Sequence, residues 1–247
     1  MTGFIITNQF LKDNKACEPG IEFFNNNNLD GKDCLEICAF LEEKGNAEWS
    51  VWLRKAVAKN LKAPSLLFEV FGNDKDYFVR HAIAINPNTP THVLEFLSKD
   101  KNVCICCAVI LNQNTPVYVI ESLSKDKNHF VRCAVAECTN ATIHVLEGLS
   151  NDEHTHVHHY VALNPNTPTH VLEFLSKKEN SFVRRCVALN HNAPAHVLEV
   201  LSKDDNDDVR LAVAKNSNTP IHVLEALSKD NINSVCANAK DKIKNLG

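Results

Sequence analysis

The chain has 247 residues, with 26 basic and 30 acidic side chains and a net charge of −4. That balance excludes a bulk attraction to nucleic acid, and no stretch approaches the ~18 consecutive apolar residues of a membrane span. Apolar residues at 44% suit a chain with a core, and the ten cysteines read as reduced thiols rather than a disulfide framework. The opening segment MTGFIITNQFLKD lacks a basic start followed by a long apolar run, so it does not read as a secretion signal. Together these features point to the cytoplasm.

The first 52 residues follow no period and read as a helical N-terminal cap. The polar run Asn25 to Asn28 reads as a loop. Asp33 to Lys44 and Asn46 to Asn60 read as helices, with Trp49 and Trp52 available to cover an open end of the following structure.

From Leu53 onward the chain repeats itself. The fourteen letters NPNTPTHVLEFLSK run from Asn86 to Lys99 and again from Asn164 to Lys177, three periods of 26 residues apart. Proline recurs at positions 64, 90, 116, 168, 194 and 220, with Thr142 breaking the series, and glutamate recurs without exception from Glu69 to Glu225. A fixed period in this range predicts a solenoid, because one such unit cannot bury its own apolar face and stacked units can.

Each unit reads as two short helices. The first starts at an Asn or Asp N-cap, such as Asp76, Asn102, Asn128 or Asn180, and buries a stripe like Val79, Ala82, Ile83 and Asn86. The turn Asn86-Pro87-Asn88 stops it, Thr89 caps the second helix, and Pro90 takes its first position. Val93, Leu94 and Leu97 then face inward. The segment NVCICCAVIL, Asn102 to Leu111, would read alone as a strand, but Ile105 and Ala108 align with Val79 and Ala82, so it is predicted helical.

Seven full copies start at Leu53, Val79, Ile105, Val131, Val157, Val183 and Val209. A half copy at Val235 carries Asn238, Lys240, Lys242 and Lys244 and reads as a polar C-terminal cap. At helix spacings of ~8–10 Å, seven units would make a curved rod of roughly 60–70 Å. The expected architecture is an all-α α-solenoid of about seven 26-residue two-helix repeats spanning residues 53–247, behind a cap spanning 1–52.

The unit VRLAVAKNSNTPIHVLEALSKD, Val209 to Asp230, resembles the variant leucine-rich repeat of bacterial proteins, a HEAT-like family. The resemblance covers the chain from about Leu53 and implies a right-handed superhelix. It implies little about function. The family's namesake type carries an N-terminal cysteine cluster for a four-iron, four-sulfur centre. Here the cap offers only Cys17, Cys34 and Cys38, with no C-x-x-C run, so the cluster is not carried over and no cofactor is expected. Cys34 and Cys38 read as buried small hydrophobes.

Three further series ride the period. Arg54, Arg80, Arg132, Arg184 and Arg210, with Asp74, Asp100, Asp126, Asp152, Asp204 and Asp230, predict a charged ladder between units; the alternative is a row of arginines that binds anions. Glu95 with Lys99, and four pairs at the same offset, read as i, i+4 partners. His92, His144, His170, His196 and His222 read as surface residues at helix starts, too far apart for one metal ion.

Cys106, Cys107, Cys133, His158 and His159 are of the right type for zinc and fall at matching positions of adjacent repeats, but they lack a motif's spacing, so no metal site is assigned. Two positions on the first helix vary where most others are copied. They read Tyr77 and His81, Val103 and Cys107, His129 and Cys133, Thr155 and His159, Ser181 and Arg185, Asp207 and Leu211. Helical geometry predicts them opposite the buried stripe and exposed; in HEAT-like stacks that helix lines the concave face. Ten of these residues (Tyr77, His81, Val103, Cys107, His129, Cys133, His159, Arg185, Asp207 and Leu211) are the candidate partner-binding set.

With no Gly-rich phosphate loop, no assembled Ser-His-Asp set and no metalloprotease spacing, the chain reads as a non-enzymatic scaffold that binds another protein. An immunity protein, antitoxin or inhibitor in a bacterial setting is the narrower version. The alternatives are a metal or iron–sulfur redox protein using the Cys/His surface and, last, a HEAT-like nucleic-acid binder, for which no basic run is present.

Overall fold

The computed structural model describes residues 3–246. Among them are eighteen helices and one pair of two-residue strands. The chain divides into two compact units, Met1–Val119 and Ile120–Gly247.

The first unit begins with β1 (Ile5–Ile6), α1 (Asn8–Asp13), α2 (Glu18–Asn26) and β2 (Lys32–Asp33). It continues through α3 (Cys34–Glu43), α4 (Ala47–Ala58), α5 (Ser65–Gly72), α6 (Tyr77–Ile85), α7 (Thr91–Leu97) and α8 (Val103–Leu111). α9 (Val117–Leu123) follows. The second unit carries α10 (His129–Glu137), α11 (Ile143–Leu149), α12 (Thr155–Leu163), α13 (Thr169–Leu175) and α14 (Ser181–Leu189). It ends with α15 (Ala195–Leu201), α16 (Asp207–Lys215), α17 (Ile221–Leu227) and α18 (Asn233–Leu246). The repeat predicted from the sequence is therefore an all-α solenoid-like stack of helix pairs, and NVCICCAVIL is helical as α8.

The cap is more than helices. β1 and β2 pair antiparallel, Ile5 opposite Asp33. Asn25 and Asn26 complete α2 rather than forming a loop, and the turn comes at Asn28, whose φ of 53° is one that asparagine tolerates better than most residues. Cys34 and Cys38 are buried, as expected. Trp49 is half-buried and packs edge-on to Phe23 at 5.3 Å; both line, with Trp52, a cavity of about 380 Å³. The boundary expected between residues 52 and 53 falls inside α4.

In the second unit α10, α12, α14, α16 and α18 lie side by side in one row. Each presents the predicted stripe to the core: Val131 and Val135, Val157 and Val161, Val183 and Val187, and Val209 and Val213 are all 0–1% exposed. At about 25 cal/mol per Å² of apolar surface, burial of such stripes is the main stabilising term of the stack.

Three bonding patterns repeat with the fold. The first is the expected ion-pair ladder. Arg80 Nε lies 2.7 Å from Asp100, and Arg132, Arg184 and Arg210 pair with Asp152, Asp204 and Asp230 at 2.6, 2.6 and 2.7 Å.

The second pattern is a buried asparagine ladder. Asn164 Nδ2 donates to the carbonyls of Ala136 and Cys138, at 2.7 and 3.0 Å, in the preceding repeat. Asn190 and Asn216 do the same one and two repeats on, and Asn86 and Asn112 do so in the first unit. The asparagine that the sequence places in the buried stripe and at the helix-ending turn is thus also a staple between repeats.

The third pattern replaces an expected one. Glu69, Glu147, Glu173 and Glu199 pair with His92, His170, His196 and His222 of the next repeat, and Glu173 and Glu199 do so rather than with Lys177 and Lys203 four residues on. Neighbouring second helices bring those side chains within about 3 Å, while the lysines stay in water.

Thr89 also departs from expectation. Its hydroxyl donates to Ile83 O, closing the first helix, and α7 begins after Pro90. Where proline is replaced, at Thr142, the threonine does cap, accepting from Val145 N–H.

Candidate functional site

Within each unit the first helices of successive repeats pack side by side and cover one another's flanks. This cover decides what the variable positions become. Tyr77, at 38% exposed, and Asp207 are at the surface, whereas His81, Val103, Cys107, His129, His159, Arg185 and Leu211 are half-buried. Cys133 is buried, at 7% exposed. The expectation that all ten stand exposed is corrected for these eight. Residues 81 and 82 are neighbours, so a side chain next to the buried stripe is only about 100° from it and the adjacent helix closes over that flank.

Large exposed residues of these helices lie one position away. Phe78, Phe130 and Phe182 are 51, 63 and 49% exposed. They recur at every second copy, a signal present in the sequence at twice the repeat length but hidden by Cys104 and His156 between them. Leu111, Leu163 and Leu189 add apolar surface at the helix ends. In the first unit the rings of Tyr77 and Phe78 stand 4.0 Å apart, and Lys55 lies over Phe78.

In the second unit the rings join into a strip. Phe130 lies 4.1 Å from His129, and His129 stacks flat on His154 at 3.7 Å with the planes within 2°. His156 stands 5.5 Å from both His154 and His159, and His159 meets Phe182 edge-on at 4.5 Å. Arg185 closes the row over the Phe182 face at 5.5 Å. Three helices build it: α10 supplies His129 and Phe130, the start of α12 supplies three histidines, and α14 supplies Phe182 and Arg185. Of the sequence candidates, the strip gathers His129, His159 and Arg185. It leaves out Cys133, Asp207 and Leu211.

Packing disfavours the protonated form of His129, His158 and His159. Burial, then His156 and His158, push His159 below the ordinary histidine value; burial, then Lys178, does the same to His158. Burial and the facing His154 ring lower His129. His154 Nδ1, His158 Nε2 and His159 Nε2 are buried without a hydrogen-bond partner.

The metal reading finds no support in this arrangement. Among the described residues no group of three His, Cys, Asp or Glu side chains is placed to hold a metal ion. Two imidazoles stacked flat aim their lone pairs along parallel planes rather than at one point. In the arginine positions, Cys106 and His158 are buried, and Cys106 Sγ donates to Asp100 O as an arginine nitrogen does to the matching carbonyl in other repeats.

No protein-family model matches the chain, and no curated protein matches it. A solved structure described as a leucine-rich repeat variant with a novel repetitive structural motif matches over 91% of this chain and 87% of its own, at 23% identity and a TM-score of 0.64. The chain has the fold of a leucine-rich repeat variant. An Escherichia coli protein, YibA, is aligned over 96% of this chain and 95% of its own, at 17% identity and a TM-score of 0.41. No helix among the described residues is long and apolar enough to cross a membrane.

Proposed function

We propose that the chain is a non-enzymatic scaffold that binds a partner protein through the ring-lined face of its second unit. The observation that carries this reading is the strip from Phe130 through His129, His154, His156 and His159 to Phe182 and Arg185. Aromatic residues and arginine are the types enriched where protein interfaces concentrate their energy. Half-exposed phenylalanines gain little from water, and a partner that covers them gains roughly 1.5–3 kcal/mol for each ring fully buried. The variant leucine-rich repeat fold supports the reading in general terms, since stacked repeats present long ordered faces.

A cytoplasmic setting goes with the reading of the ten cysteines as reduced thiols. The narrower version of the proposal is an immunity protein, antitoxin or inhibitor, whose work is done by occupying a partner's surface. A nucleic-acid role has less to recommend it: the strip holds one arginine, and the net charge is −4.

The test is affinity capture from the source cells with the wild-type chain and with a Phe130→Ser/Phe182→Ser variant. Both side chains are exposed, so the melting temperature should stay within a few degrees. A protein of defined mass retained by wild type and lost by the variant supports the reading. Equal retention by both removes this face from consideration.

A further inference from the structure

One rung of the ion-pair ladder is rewritten at both ends. In the second unit Arg132, Arg184 and Arg210 pair with an aspartate 20 residues on. That carboxylate has a second task. Asp152 and Asp204 each accept the backbone N–H two residues later, from His154 at 2.8 Å and Asn206 at 2.9 Å. In the rung between those of Arg132 and Arg184, the arginine position holds His158 and the aspartate position holds Lys178.

The double replacement leaves two donors without an anion and one buried imidazole nitrogen without a partner. The N–H of Asn180, two residues after Lys178, has no carboxylate to donate to. His158 is 8% exposed and its Nε2 is buried without a partner, while its imidazole is held by a hydrogen bond to the Asp152 backbone. Lys178 makes no ion pair and places its ammonium over the Phe174 ring, 4.3 Å from the centroid. His158, Lys178 and Asn180 line one cavity of about 540 Å³ with Thr155, Glu179 and Val183. α14 starts there with nine residues, its dipole favouring negative charge.

We infer that this cavity binds a carboxylate from outside the chain, seated where the aspartate carboxylate stands in the other rungs. Asn180 N–H and the Lys178 ammonium are its donors. His158 becomes a third on taking up a proton, so binding carries proton uptake and tightens as the pH falls towards 6. The charged groups facing His158 are Lys178, Asp152 and His159, with Glu179 across the cavity. Lys178 opposes protonation of the free site, and a bound carboxylate offsets it. The cavity has room for more than two oxygens, so the carboxylate arrives either on a small free acid or on an acidic side chain of another protein.

The experiment is an NMR titration of the isotopically labelled full chain at pH 6, at constant ionic strength balanced with sodium chloride. One arm uses sodium acetate; the other uses a glutamate-containing peptide blocked at both ends. Saturable shifts of the Asn180 amide and the His158 ring, with no shift at His222, support the site. Tighter binding of the peptide assigns the source to an acidic side chain, and binding of acetate alone assigns it to a free acid. Lys178→Asp supplies the carboxylate from within and should lower the affinity at least about tenfold. Lys178→Met, which keeps the side chain's bulk, should lower it as well. Absence of shifts in both arms, or equal affinity in either variant, overturns the inference.

Discussion

Lys242 stands one period after Asn216, and its ammonium donates to the backbone carbonyl of Asn216. The carbonyls of Asn164 and Asn190 receive the amide of the asparagine one repeat on; at the last repeat a lysine takes that place. Where the asparagine series gives way, the carbonyl that each earlier rung covers needs another donor. Lysine suits this position because its stem lies along the apolar edge while its charge stays near water. Burial lowers its pKa. Lys242→Met should lower stability by about 1 kcal/mol, since one partly buried carbonyl loses its donor. Urea unfolding of the two proteins checks this; an unchanged midpoint would show that water replaces the ammonium without cost.

The asparagine ladder should be worth more. Asn190 is 4% exposed and bonds two carbonyls of the preceding repeat, and its Oδ1 accepts from Asn192 N–H. Asn190→Ala leaves those groups buried and unpaired, for an expected loss of about 2–4 kcal/mol. The Asn192 side chain makes a single exposed bond, to Pro165 O, and Asn192→Ala should cost less than about 1 kcal/mol. Equal losses from the two substitutions would remove the ladder's special standing.

The ion-pair rungs and the Glu–His pairs make a second contrast. The side chains of Arg132 and Asp152 are 9 and 7% exposed, and Asp152 also accepts from His154 N–H. Asp152→Asn strands a buried guanidinium and should cost about 3 kcal/mol. Glu147 and His170 are 41 and 62% exposed, so Glu147→Gln should change stability by less than about 0.5 kcal/mol. Thermal unfolding at two salt concentrations separates the pairs, because only the exposed one is screened.

Acid should destabilise the second unit before any carboxylate is protonated. His158 and His159 have folded pKa values below the ordinary 6.5. The unfolded chain therefore binds more protons in the window just below that value, and stability falls as the pH drops through it. Above pH 7 both states are neutral and the effect is absent. The melting temperature should drop between pH 7 and pH 5, and a His158→Gln/His159→Gln variant should lose much of that slope. Asp152 and Asp204, held below the ordinary carboxylate value by their arginines against the opposing effect of burial, contribute a separate loss only below about pH 4.

The repeat, its 26-residue period, the N-caps of the first helices and the buried stripe were legible in the sequence because each depends on local spacing. Periodicity in one chain acts as its own alignment: it made α8 helical against the β-branched character of NVCICCAVIL and predicted the Arg–Asp ladder. What it did not yield is pairing between elements that share no local pattern. That Asn164 reaches back to Ala136, that Glu147 meets His170, and that His129 lies flat on His154 are consequences of how one helix pair sits on the next. The same holds for exposure. Helical phase put Cys133 and His159 on a free face, but a neighbouring first helix covers them, while Phe130 and Phe182 remain in water. The sequence alone thus determined the fold and the unit of repetition, because hydrophobic period and capping are local physics. Only the tertiary structure decided which side chains are left for a partner, because cover is set by neighbours distant in the chain.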